Sequence, residues 1–94
     1  MPEKLQIAVC DGESTDRQQV IDLTREIMAA EGLPCDLSAY ESGVVLLNAI
    51  QSGAQFHILL LDMMMDGLDG MELAATLREL GDSTAIIQYA KSIP

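Results

Sequence analysis

The chain has 94 residues, 49% hydrophobic and 21% charged, enough for one domain with a single core and too apolar for a disordered acidic tail. Its formal net charge of −10 at pH 7 argues against direct binding to nucleic acid or to an anionic membrane, because phosphate groups are bound by cationic surfaces. The acidic balance suits a cation-binding pocket or a basic partner, although solubility alone accounts for most of the acids.

The first strand is predicted over residues 4–10, which end in a nearly continuous apolar run. The acidic loop Asp11-Gly12-Glu13 follows it. A helix then begins, with Ser14 or Thr15 as its cap, and it ends at Gly32. Its buried face is expected to consist of the apolar residues at helical spacing, which are Val20, Leu23, Ile27 and Ala30.

The second strand is predicted over residues 35–39, where apolar and polar residues alternate as in a half-exposed edge strand. A short helix opens at Ser42-Gly43 and closes at Ser52-Gly53. Its apolar residues are Val44, Val45, Leu47 and Ile50.

The central strand is predicted over residues 57–62, because consecutive aliphatic residues without polar alternation are typical of a strand buried on both faces. The run ends on a carboxylate, Asp62. A lone ionised carboxylate is costly to bury, so we expect Asp62 where the strand emerges. That is the carboxyl end, at which open α/β sheets bind their ligands.

A loop with two Asp-Gly pairs leads to a third helix, predicted from an acidic cap at Asp69 and Glu72 to about residue 80. Its inner face is expected to consist of Met71, Ala74, Leu77 and Leu80. The fourth strand is predicted over residues 85–89. Strands that alternate with helices in this way indicate an α/β fold with a parallel sheet of right-handed β-α-β units.

The segment LLLDMMMDGLDGMEL, residues 59–73, resembles the phosphoacceptor segment of response-regulator receiver domains in two-component signalling. Asp62 matches the phosphorylated aspartate, Met65 the family's methionine, and Asp69-Gly70 its closing Asp-Gly pair. Asp66 stands where the family usually has proline. The opening IAVCDGESTDRQQ is similar to receivers that elsewhere precede LytTR-type DNA-binding domains.

The resemblance implies a flavodoxin-like, doubly wound parallel sheet with the element order β-α-β-α-β-α-β and the strand order 2-1-3-4. Residues 1–94 would form one receiver-like domain that lacks the family's last helix, strand and helix. The fourth strand would then be an exposed apolar edge, so we expect a homo-oligomer that forms through it.

The resemblance also implies a Mg²⁺ site, in which Asp11 and Asp62 lie in the same crevice and the main-chain carbonyl of Met64 completes the protein ligands. Gly12 occupies the position of the family's second acid, which is a direct ligand, so weak Mg²⁺ binding is expected. Glu13 is the candidate substitute, although its side chain starts one residue late.

Two further departures concern the phosphoryl group itself. Ala90 aligns with the hydroxyl residue that bonds this group in the family, and the family's fifth-strand lysine has no counterpart, since Lys91 is close only along the chain. His57 is interpreted as a strand-start residue and the methionines at 63–65 as pocket lining, because a thioether does not attract Mg²⁺.

Three functions remain to be weighed. The first is a non-enzymatic receiver that accepts a phosphoryl group on Asp62 from a sensor histidine kinase, in a Mg²⁺-dependent reaction. The alternative is a degenerate receiver that acts as a phosphorylation-independent interaction module, which Gly12 and Ala90 favour. An aspartyl phosphatase is set aside, because Met64 stands where that class needs a second acid.

The cysteine positions and the hydropathy bear on location. Cys10 and Cys35 are expected at opposite ends of neighbouring strands, too far apart for a disulfide, and so to be the reduced thiols of a cytoplasmic protein. No stretch reads as a signal peptide or approaches the roughly 20 apolar residues of a membrane span.

Overall fold

The computed structural model describes residues 4–65 and 67–90. Strands and helices alternate along the chain as the sequence predicts. The elements in order are β1 (Leu5–Cys10), α1 (Ser14–Ala30), β2 (Cys35–Tyr40), α2 (Gly43–Gln51), β3 (Ile58–Asp62), α3 (Gly70–Glu79) and β4 (Ala85–Tyr89). None of the helices in the described ranges is long and apolar enough to cross a membrane.

The four strands form one parallel sheet in the order β2-β1-β3-β4, which confirms the predicted fold and strand order. β1 and β3 are therefore neighbours in the middle of the sheet, and β2 is at one edge, as its alternating pattern indicates. Because the strand order reverses at β1, the first crossover, α1, lies on the face opposite to α2 and α3, and a crevice is left at the carboxyl ends of the two central strands.

The main core lies between the sheet and the pair α2 and α3. Its fully buried members come from alternate positions of the central strands and from the inner faces of the two helices: Ala8, Cys10, Leu46, Leu59, Leu61, Leu73 and Leu77. On the other face, α1 packs over β1 and β2 and covers Ile7 and Val9. Ile58 and Leu60 point to that face and are only half-buried, so β3 is fully buried on one face rather than on both.

The inner face of α1 differs from the predicted one. Ile21 is its buried residue, whereas Leu23 and Ile27 are 57% and 52% exposed. The predicted cap is also wrong, since Glu13 is the N-cap residue and makes no side-chain capping bond. Apolar residues occupy more than one side of this helix, so a 3.6-residue period fits two rotations about the axis and does not select between them.

The other two helices begin with the caps that the sequence indicates. The Ser42 hydroxyl accepts a hydrogen bond from Val45 N–H at 3.2 Å at the start of α2. In α3, Asp69 Oδ1 accepts from Glu72 N–H at 2.9 Å and the Glu72 carboxylate accepts from Asp69 N–H at 3.4 Å, a complete capping box.

The buried face of α3 also differs from the predicted one. Leu73 and Leu77 are its fully buried residues, and both Met71 and Leu80 are exposed although they were expected inside. In α2 the fully buried side chain is Leu46, which the predicted apolar set left out.

Gly70 lets α3 begin directly against the end of β3. A Cβ at this position would lie 2.6 Å from the Asp62 carbonyl oxygen and 3.2 Å from Met63 Cα. Both are backbone atoms, so a side chain at residue 70 would force the helix away from the strand. The glycine thus fixes the distance between α3 and the strand end that carries Asp62.

Candidate functional site

Three side chains form one row across the carboxyl end of the sheet. The ladder places Val9, Leu60 and Ile87 opposite one another on β1, β3 and β4. Two residues further along each chain are Asp11, Asp62 and Tyr89, and side chains two apart in a strand share a face. The structure therefore brings the two predicted aspartates together and adds a tyrosine.

Asp11 is fully buried and held from several sides. Its Oδ1 accepts a hydrogen bond from Glu13 N–H at 2.8 Å, and its Oδ2 accepts from the Tyr89 hydroxyl at 2.6 Å. The Arg17 guanidinium donates to the Asp11 main-chain oxygen at 2.8 Å. These contacts fix the carboxylate at the carboxyl end of β1 and bring the cationic side chain of Arg17 to the margin of the site.

Asp62 is also fully buried, at the last position of β3. Its Oδ1 accepts a hydrogen bond from Met64 N–H at 3.0 Å, which sets the rotation of the carboxylate. The main chain beyond it is tied to β4, because Met63 N–H donates to the Tyr89 carbonyl oxygen at 2.9 Å. Met64 therefore turns back on Asp62 through its N–H, with its side chain exposed, and the role of its carbonyl as a Mg²⁺ ligand stays a prediction.

The site is electrostatically negative, as two protein groups show. Burial, followed by the charges of Asp11 and Asp62, raises the pKa of the Cys10 thiol to about 12, with Arg17 acting in the opposite direction. Burial, the hydrogen bond to Asp11 and the charges of both aspartates also raise the pKa of Tyr89. The repulsion from the two aspartates favours a cation, whereas burial disfavours charge of either sign.

The donor set fits Mg²⁺, which takes one or two protein carboxylates and completes its octahedron with water. In the two described ranges no group of three or more His, Cys, Asp or Glu side chains is placed to hold a metal ion. Glu13 is exposed, and what it gives to Asp11 is its main-chain N–H, so its role as a substitute ligand stays a prediction. Gly12 has room for a side chain, since a Cβ there would lie 3.8 Å from the Glu41 carbonyl oxygen.

The remaining sequence candidates lie elsewhere. His57 is at the opposite end of the sheet, where its Nδ1 accepts a hydrogen bond from Gln6 N–H at 2.9 Å, as expected of a strand-start residue. Ala90 is exposed and follows β4. Asp66 and Lys91 lie outside the described residues.

The two cysteines are both free, and the register places Cys35 opposite Leu5 at one end of β1 while Cys10 lies at the other. The prediction that they do not pair is confirmed. The Cys10 thiol donates to the Met65 sulfur at 3.6 Å, so both side chains belong to the packed floor below the aspartates.

Tyr89 is the site residue that the sequence analysis missed. Its place in the site depends on the register of the ladder, in which residues 89 and 62 are partners, and the sequence alone does not contain this register. Once the register is known, the two-residue period of β4 places Tyr89 on the same face as Ile87, beside the two carboxylates.

A doubly wound parallel sheet with a buried pair of aspartates at the carboxyl ends of its two central strands defines a flavodoxin-like α/β protein with an acidic, cation-favouring pocket. The family is also shown at the level of sequence. The family model for the response regulator receiver domain matches residues 9–92, and the chain belongs to this family. No curated protein sequence matches the chain significantly.

Several solved receiver domains share the fold. The signal receiver domain of NarL from Mycobacterium tuberculosis superposes with a TM-score of 0.79 at 24% identity, over 99% of this chain and 71% of that one. A response regulator receiver protein from Pseudomonas putida gives a TM-score of 0.78 at 15% identity, over 100% and 74%. The receiver domain of Francisella response regulator 1452 gives 0.71 at 21% identity, over 93% and 66%.

The chain thus spans about two thirds to three quarters of the length of these three structures. This similarity establishes the fold, while the chemistry of the site rests on the residues of this chain.

Proposed function

We propose that this receiver domain accepts a phosphoryl group on Asp62 from a sensor histidine kinase, in a Mg²⁺-dependent reaction. The observation that carries the proposal is the position of Asp62, at the carboxyl end of the central strand, in one row with a second buried carboxylate. Burying two carboxylates at one edge of a sheet is costly, whereas a cation and a phosphoryl group at that edge require oxygen ligands.

In the proposed transfer, an Asp62 oxygen attacks phosphorus as the bond between phosphorus and the kinase imidazole breaks. The phosphohistidine ring carries a proton on its other nitrogen, so it leaves as neutral histidine while Asp62 becomes an acyl phosphate, and charge and atoms balance. The hydrogen bond from Met64 N–H orients the attacking carboxylate before the reaction, and positioning of this kind supplies much of the rate in phosphoryl transfer. Asp11, Asp62 and the Met64 carbonyl would hold Mg²⁺, which neutralises the charge of the transferred group.

The experiment is incubation of the chain with a small-molecule phosphodonor and Mg²⁺, followed by intact-protein mass measurement. We expect a slow addition of one phosphoryl group, because Gly12 removes an oxygen ligand. The addition should disappear in Asp62→Asn and persist in Asp36→Asn, whose exposed carboxylate lies on β2. No addition to the unmodified chain, or addition that survives Asp62→Asn, would contradict the proposal and favour the interaction module.

The proposed partners are a histidine kinase and a second copy of the chain. In the described ranges β4 pairs with β3 alone, and its Ile87 is 53% exposed on the face where Leu60 is half-buried. An unpaired strand edge with apolar side chains favours association with another strand. A charge of −10 makes direct nucleic-acid binding unfavourable, and two free cysteines are consistent with a cytoplasmic location.

Light scattering over a wide concentration range tests the association. The chain should form a dimer or larger assembly, and Ile87→Lys should dissociate it. Val44→Lys, at a similarly exposed apolar residue of α2, is the matched control and should leave the assembly intact. A monomer at every concentration would refute association through β4.

A further inference from the structure

The Tyr89 side chain crosses the central strand of the site. The sheet order places β3 between β1 and β4, yet the Tyr89 hydroxyl reaches Asp11 Oδ2, just beyond β1, at 2.6 Å. Neighbouring strands are about 4.8 Å apart, so this contact spans two strand spacings. The ladder partner of Tyr89 on β3 is Asp62, and the phenol therefore passes over the residue that the proposed function makes the phosphoacceptor.

Burial shows what this crossing does to the two carboxylates. Asp11 and Asp62 are each 0% exposed, whereas Tyr89 keeps part of its surface in solvent. The partly exposed ring thus lies on the solvent side of a fully shielded pair. A cation or phosphoryl group that approaches along this side meets the phenol before it meets either aspartate.

We propose that Tyr89 is a positioning residue that closes this pocket, with its hydroxyl held on Asp11 Oδ2 in competition with a divalent cation. Cation binding then releases the hydroxyl from Asp11, and the ring moves away from Asp62. This inference rests on the proposed function, since it supplies the cation and the phosphoryl group that the pocket admits. The hydroxyl leaves Asp11 Oδ2 without any covalent step, so the exchange replaces a hydrogen bond to Asp11 with a contact between Asp11 and the cation.

Tyr89→Phe tests the competition because it keeps the ring and removes the hydroxyl. Hydrogen bonds to charged groups are strong enough that its loss should tighten Mg²⁺ binding about tenfold, measured by titration calorimetry on the full chain. Tyr40→Phe is the matched control. The Tyr40 ring packs edge-on against Phe56 at 6.0 Å, within the core on the other face of the sheet, so Mg²⁺ affinity should stay unchanged in this variant.

Tyr40→Phe also provides a direct readout, because it leaves Tyr89 as the single tyrosine in a chain without tryptophan. A phenol that donates to a carboxylate has quenched fluorescence, so Mg²⁺ should raise the Tyr89 emission in parallel with the calorimetric binding curve. The titration is done in Ca²⁺-free buffer without a phosphodonor, so that the change in Tyr89 emission reports Mg²⁺ binding alone. A purely structural tyrosine would give no change in emission as the pocket fills.

The proposal is overturned if Tyr89→Phe and the unmodified chain bind Mg²⁺ equally, if neither binds it, or if Tyr89 emission does not respond. Should Tyr89→Phe fail to fold, the emission change in Tyr40→Phe decides alone. Failure of the proposed function is distinguishable, because phosphorylation is measured by mass: a responsive Tyr89 with no addition at Asp62 refutes the phosphoacceptor role and leaves the competition standing.

Discussion

Gly70→Ala is expected to separate α3 from the strand that carries Asp62. The added methyl carbon would lie 2.6 Å from the Asp62 carbonyl oxygen and 3.2 Å from both the Asp62 carbonyl carbon and Met63 Cα. All three atoms are backbone, so no side-chain rotation relieves the contact. Overpacking costs about 1–3 kcal/mol, and with rigid neighbours on two elements we expect the upper half of that range. Helix propensity returns at most about 1 kcal/mol, which leaves a net loss of about 2 kcal/mol.

Urea unfolding followed by far-UV circular dichroism measures this loss. For a domain of this size, about 2 kcal/mol corresponds to a fall in melting temperature of roughly 8–16 °C. Gly12→Ala is the matched control, since the nearest atom to its new methyl group would be 3.8 Å away, and its change should stay within about 0.5 kcal/mol. Gly70→Ala should also slow phosphorylation, because the displaced backbone is that of Asp62. An unfolding midpoint equal to that of the unmodified chain would refute the reasoning.

Three further predictions concern the site and one loop. Gly12→Asp, which adds a carboxylate where space is available, should tighten Mg²⁺ binding in a calorimetric titration. Burial and the neighbouring carboxylates hold the pKa of Cys10 at about 12, so at pH 8 a disulfide reagent should modify Cys35 first, and Cys35→Ser should react slowly. Hydrogen bonds from the Thr84 hydroxyl and N–H lower the pKa of Asp82, so Asp82→Ala should cost about 1 kcal/mol at pH 7 in urea unfolding. Because the folded pKa lies below the unfolded one, that stabilisation is lost as pH falls through the folded pKa, and the two proteins should converge at acid pH.

The sheet was predictable because its signals are local. The apolar run that ends at Asp62 identifies a central strand, and the alternation in β2 identifies an edge. Capping residues mark where α2 and α3 begin, as Asp69 with Glu72 does for α3, whereas the cap of α1 is Glu13 rather than the predicted Ser14 or Thr15. With four strands and three crossovers of one hand, few parallel arrangements remain, so element order and family resemblance together determine the topology.

Helix rotation was less predictable, for a physical reason. The face that a helix buries is decided by where the sheet lies, and Leu23 and Ile27 are as apolar as Ile21. The local sequence of a helix contains the spacing of its apolar residues, but it does not say on which side of the helix the sheet lies. The same reason explains why β3 is half-buried on one face: α1 covers β1 and β2, and this depends on the crossover rather than on the residues of β3.

Predicting the pocket required information from residues still further apart along the chain. Tyr89 and Asp11 are 78 residues apart along the chain, and their contact exists only because three strands lie in one register. The resemblance identified Asp11 and Asp62 because the family's motif includes both positions. It gave no role to Tyr89, because the family's hydroxyl residue was aligned with Ala90.

Tyr89, rather than Ala90, ends β4 on the face that carries Asp62. Successive residues of a strand point to opposite faces, so a hydroxyl at residue 90 would point away from Asp62. The hydroxyl that does lie in line with Asp62 is that of Tyr89, and it donates to Asp11. This hydrogen bond favours the pocket without its ligands, which is why the exchange that opens the pocket can be tested with the cation alone.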